Sequence, residues 1–176
     1  MHKPHLMTIR TNEIMNAYLK QLNYDFEKTA YVIPDKLIKI IQADFMDDND
    51  CIILKLDNNH KHNPVLHSDF EKCDYEYNEH FHPDFAVIGV KEDETEYLKL
   101  ALECGKALAL RLKSNYPEKE FRIVISFSET RYEGQEIDSL GSSRVSFHQI
   151  RQSAEWAFRI DNLNDYKTEA IMNIEV

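Results

Sequence analysis

The chain has 176 residues, with 21 Lys and Arg against 31 Asp and Glu, for a net charge of −10. That length suits a single α+β domain over 1–176, able to bury about two thirds of its unfolded surface without a metal or disulfide staple. The cation deficit argues against a surface that neutralises phosphates, so no nucleic-acid partner is expected. The sequence lacks a run of about 18 uncharged apolar residues, so no membrane helix is expected either.

Three cysteines, Cys51, Cys73 and Cys104, show no framework spacing and fit a reducing, cytoplasmic setting. Met1 to Arg10 has no apolar core of a signal peptide and reads as a loose tail over 1–10. A first helix starts at Thr11 or Asn12, with Glu13 in its first turn and Ile14, Met15, Tyr18, Leu19 and Leu22 on one side. A second opens at Pro34, with Leu37, Ile38, Ile41 and Phe45 on its inner face. Pro34-x-x-Leu37-Ile38-x-x-Ile41 resembles the opening helix of an F-box, and nothing is carried over from so short a segment. Asp44, Asp47, Asp48 and Asp50 read as a solvated turn, without the glycine of a calcium loop. Cys51 to Leu56 is a strand.

Residues 57–84 form a long polar excursion rich in histidine and acid, with short strands around Cys73 to Tyr77. Phe85 to Val90 reads as a strand. The longest predicted element follows, a helix over 94–116. Asp93 is its N-cap, Glu96 completes a capping box, and Tyr97, Leu98, Ala101, Leu102, Cys104, Leu108 and Leu112 give it a wide apolar stripe. Leu100, Ala107, Ala109 and Leu110 widen that stripe, while Lys99, Glu103, Lys106 and Lys113 mark a narrow polar face. Phe121, Ile123, Ile125 and Phe127 then alternate with Arg122, Val124, Ser126 and Ser128, as in a half-buried strand. Ser128 to Ser143 reads as a polar loop, Arg144 to Arg151 as a strand, Trp156 and Phe158 as a further extended segment, 161–167 as a turn or short helix, and Thr168 to Val176 as the closing strand. With no crossover helix between them, the last strands are expected to form an antiparallel meander.

The fold class that follows is α+β: an antiparallel sheet of about five or six strands, one long helix packed on a face, and two N-terminal helices.

Several residue groups could carry chemistry. His60-x-His62 and His80-x-His82 are two pairs that would each share a strand face, and with Cys73, Asp69 or Asp84 they could hold zinc or another divalent metal. That pattern defines the alternative function, a metal-binding protein or metal-dependent hydrolase. Ser126 or Ser128 facing Ser146 and His148, with Glu129 orienting the imidazole, would suit a nucleophile, although cross-strand polar pairing accounts for the same residues. Gly141-Ser142-Ser143-Arg144 could wrap a phosphate, but reads equally as a turn. Asp74, Tyr75, Glu76, Tyr77 and Glu79 interleave acids with aromatics, the wrong sign for nucleic acid and the right one for a basic protein. A hidden basic face would have to gather Arg111, Arg122, Arg144 and Arg151. The favoured expectation is a non-enzymatic interaction module without cofactor, similar by analogy to immunity or antitoxin proteins. It would meet a basic protein partner or self-associate.

Overall fold

A computed structural model describes residues 7–56, 65–155 and 162–176. In chain order its elements are β1 (Thr8–Thr11), α1 (Glu13–Gln21), α2 (Asp35–Ile41), β2 (Phe45–Asp48), β3 (Cys51–Leu54), α3 (Asp69–Asn78), α4 (Phe85–Ile88), α5 (Thr95–Asn115), β4 (Phe121–Ser128), β5 (Arg131–Glu133), β6 (Glu136–Ser139), β7 (Ser142–Gln149) and β8 (Ala170–Glu175). The class is α+β. The main sheet has four antiparallel strands in the order β1-β8-β4-β7, and β2–β3 and β5–β6 stand apart as hairpins.

Alternation sets the two faces of the main sheet. Phe121, Ile123, Ile125 and Phe127 of β4, Val145 and Phe147 of β7, and Ala170, Met172 and Ile174 of β8 are all buried in one core with α5. Gly105 lets α5 come close, since a Cβ there would lie 2.9 Å from Cγ1 of Ile125. The opposite face carries Arg122, Ser146, His148 and Asn173, buried although polar.

The closing strands do not form a meander. β8 sits between β1 and β4, with Ile123 opposite Ile174 on one side and Ile9 opposite Ile174 on the other. β7 pairs on the far edge of β4. Ala170-Ile171-Met172 is apolar on both faces, which suits an inner strand better than an edge. The expected loose tail is corrected in part: Thr8 to Thr11 supplies the edge strand β1.

Helix α1 is capped by Asn12, whose Oδ1 accepts from the Met15 amide at 2.9 Å. Phe45 lies beyond α2 and opens β2, where its ring meets Tyr116 and Phe147 edge-on. The acidic turn is a tight hairpin: Asn49 and Asp50 have φ of 53° and 65°, the left-handed pair that a two-residue connection needs. The strand after it ends at Leu54, short of Leu56.

The capping box expected at α5 is not formed. Asp93 Oδ1 accepts from the Thr95 amide and hydroxyl, whereas Glu96 pairs with Lys99 on the next turn. The polar stripe of α5 is roofed by aromatics. Lys99 lies 5.8 Å from the Tyr31 ring and Lys106 5.3 Å from Phe26, while Glu103 meets the Tyr24 hydroxyl. Leu110 falls outside the buried stripe.

Phe85 to Val90 is not a strand. Asp84 caps the Ala86 amide to start the short helix α4, and Gly89, at φ 80°, ends it. The 161–167 segment contains a 3-10 turn, Leu163–Asp165. Trp156 and Phe158 lie outside the described residues. Among the described residues, no helix is long and apolar enough to cross a membrane.

Candidate functional site

The Cys73 to Tyr77 stretch, expected as short strands, is the middle of α3. Ser68 Oγ accepts from the Glu71 amide at 3.2 Å, and the Glu71 carboxylate accepts from the Ser68 amide at 3.1 Å, a complete capping box. The inward stripe of this helix is Cys73 and Glu76, with Tyr77 half-buried beside them.

Glu76 therefore leaves the expected partner surface. Its exposure is 0 %. Oε1 accepts from the Ile52 amide at 2.8 Å, and Oε2 accepts from the Gln149 amide at 2.8 Å and from Arg151 Nη1 at 2.8 Å. Arg151 also donates to the Asp50 carbonyl at 2.6 Å. One carboxylate thus ties α3 to β3 and to the end of β7. A buried charge demands such partners, because desolvation is otherwise prohibitive. Of the other four residues expected at a partner surface, Asp74 is exposed, while Tyr75, Tyr77 and Glu79 are half-buried. Tyr77 lies 4.4 Å under the Arg144 guanidinium.

Among the expected metal ligands, His60 and His62 lie outside the described residues. His80 and His82 meet edge to face with centroids 4.8 Å apart. His82 Nδ1 lies 3.0 Å from the Ser143 carbonyl and 3.7 Å from Asp84. Cys73 instead contacts the Gln149 carbonyl at 3.3 Å and Arg151 at 3.4 Å, and burial raises its thiol pKa. Among the described residues, no three His, Cys, Asp or Glu side chains gather as a metal set. Cys104 is buried in the core with its thiol pushed up to about 12.

Strands β4 and β7 do pair, but Ser126 sits opposite Arg144 and His148 opposite Arg122. Ser126 and His148 are therefore four rungs apart, about 13 Å, which is too far for a serine–histidine couple. The Gly141 to Arg144 stretch is already engaged. The Gly141 amide donates to Thr130 Oγ1 at 2.8 Å, Ser143 Oγ donates to the Pro83 carbonyl at 3.0 Å, and the Glu94 carboxylate lies where a Gly141 Cβ would go. A carboxylate so placed would repel a phosphate. The four arginines do not make one basic face. Arg111 donates to the Ala43 carbonyl beside α2, Arg122 is held by Glu155 and Glu175, Arg151 by Glu76, and Arg144 stacks on Tyr77.

The expected polar loop 128–143 holds the β5–β6 hairpin, turning at Gly134 with φ 65°. Tyr132 stands directly opposite Ile137, and they are 66 % and 56 % exposed. Glu129, Glu133, Glu136 and Asp138 lie along the same segment, all exposed, with Arg131 3.7 Å from Asp138. Glu94 joins the base of this ribbon to the start of α5: its carboxylate accepts from the Thr130 amide at 2.7 Å and from the Thr130 hydroxyl. The acidic turn Glu92 to Glu96 and the ribbon thus share one end of the molecule. Sequence reasoning missed Tyr132 and Ile137, although an aromatic and a β-branched residue flanking Glu133-Gly134 are a hairpin signal.

The chain belongs to the Uncharacterized protein PM0498 family, whose sequence profile matches residues 10–176. No curated protein and no solved structure matches it.

Proposed function

We propose that this protein is a non-enzymatic interaction domain that docks a basic protein partner on its acidic end, with the β5–β6 ribbon as the contact. The observation that carries this reading is the exposed Tyr132–Ile137 pair set among acids. An isolated two-stranded ribbon is marginal in water, so an apolar pair displayed on one gains by being covered. Aromatic and aliphatic anchors supply the energy of an interface, while the surrounding charge steers the encounter. Glu92, Asp93, Glu133 and Glu136 give that steering a negative sign, while Arg131 offsets Asp138. Asp74 of α3 and Glu79 just after it add acid elsewhere on the surface, without Glu76.

The test is capture of native-cell proteins on immobilised full-length chain at about 50 mM and about 300 mM salt, a range over which exposed charges become screened. A partner of net positive charge should be retained at low salt and shed at high salt. It should be lost with Tyr132→Ser/Ile137→Ser, a variant that keeps the wild-type Tm. Retention of duplex DNA or RNA, or a partner held equally by the variant and at high salt, would contradict the reading.

A further inference from the structure

On the face of the sheet opposite α5 lies a cavity of about 470 Å³, floored by Val124, Ile171 and Asn173 and walled by Arg122, Arg144 and Tyr166. It is separate from the β5–β6 ribbon, and its volume is that of a small-molecule site. The charges inside are unequal. Arg122 is 3 % exposed and its guanidinium is neutralised twice, by Glu155 at 2.9 Å and Glu175 at 3.0 Å. Arg144 has no carboxylate within ion-pair distance among the described residues. One of its amino groups donates to the Tyr77 carbonyl at 3.2 Å, and its Nε is buried without an acceptor among the described residues. Asn173 is 3 % exposed, and its side-chain oxygen is buried without a donor among the described residues.

Buried donors and acceptors are rarely left this way, because each forfeits its hydration. Here the arginine and the amide that carry these atoms line the same space. We propose that the cavity binds a small organic monocarboxylate, its carboxylate on Arg144 and a hydroxyl or amide group of the ligand on Asn173. Phosphate monoesters fit less well. Asp74 and Glu169 also line the space, and a second negative charge would find no second free cation among the described residues. His148 supplies none, because burial holds its imidazole neutral, with its pKa lowered to about 3. Val124, Leu163 and Ile171 would cover the apolar body of such an acid.

Amide chemical-shift mapping of the full chain tests this. The probes are a panel of small aromatic and aliphatic carboxylic acids, each paired with its own primary amide, with phenyl phosphate and benzylamine as charge controls. Saturable shifts at Arg144, Ser142 and Asn173 should appear with at least one acid and not with its amide. Arg144→Gln should weaken that acid at least about tenfold, in keeping with a charge-assisted contact, and Arg144→Lys should weaken it less. If Arg144→Gln does not fold, the wild-type map and the Lys variant decide. No acid shifting these amides, an amide or the phosphate binding as tightly, or full affinity in Arg144→Gln would overturn the proposal and leave the space to water.

Discussion

Helix α5 meets the sheet through Leu98, Ala101, Leu102, Leu108 and Leu112, all fully buried against β4, β7 and β8. Helix α3 meets β3 and β7 chiefly through one carboxylate, Glu76, and the arginine that answers it. The first attachment is non-directional and spread over many residues. The second is directional, concentrated in four hydrogen bonds, and fails if any partner is missing. The two helices should therefore respond differently to the same kind of substitution.

The largest effect belongs to α5. Leu108→Asp places an unpaired charge in the core and should cost several kcal/mol, more than the roughly 3 kcal/mol of a Leu108→Ala cavity. Thermal unfolding reads this, and a wild-type Tm for Leu108→Asp would refute the apolar attachment.

Next comes α3. Glu76→Ala should cost about 3–5 kcal/mol, because it leaves Arg151 buried and unpaired. Replacing a buried pair together is often neutral, but not here. Glu76→Met/Arg151→Met still strips the Ile52 and Gln149 amides of their acceptor, at about 1–3 kcal/mol each. Urea titration should find the double variant clearly less stable than wild type; equal stability would mean the two amides had found other partners.

A third effect is set by pH. His148 is buried on the outer face, and burial, aided by Arg122 and Arg151, lowers its pKa from 6.5 to about 3. The unfolded chain takes up its proton as pH falls through 6.5, whereas the folded chain does not until about 3. Stability is therefore lost as pH falls across that window. Between pH 7 and 5 the loss is about 2 kcal/mol, and His148→Gln should remove it. His80, also held down by burial, acts in the same direction and is untouched by that change. An unaltered pH slope in His148→Gln would place the acid sensitivity elsewhere.

The smallest effect is local. Ser68→Ala removes the cap of α3 and should cost about 1 kcal/mol. A loss well under that would mean the backbone amides at that end are satisfied by water.

The sequence made α5 and β4 legible because their buried residues are apolar and recur at 3.6 and 2 residues. It hid α3 because the centre of its buried stripe is Glu76, which scores as surface in any hydrophobic count. The capping pair Ser68 and Glu71 was the readable signal of that helix. The place of β8 between β1 and β4 was hidden for another reason: strand order depends on which edges meet, and alternation reports only which face is buried. Of the residues expected at a partner surface, acid and aromatic character was readable while burial was not. Hence Glu76 became an anchor, and the apolar display lay instead on Tyr132 and Ile137.

Amide hydrogen exchange of Glu76→Ala beside the wild type tests the contrast between the two attachments most directly. Protection should fall sharply at Ile52, at Gln149 and through α3, while the amides of α5 and β4 keep most of theirs. A uniform loss across all five elements, or unchanged protection at Ile52 and Gln149, would contradict it.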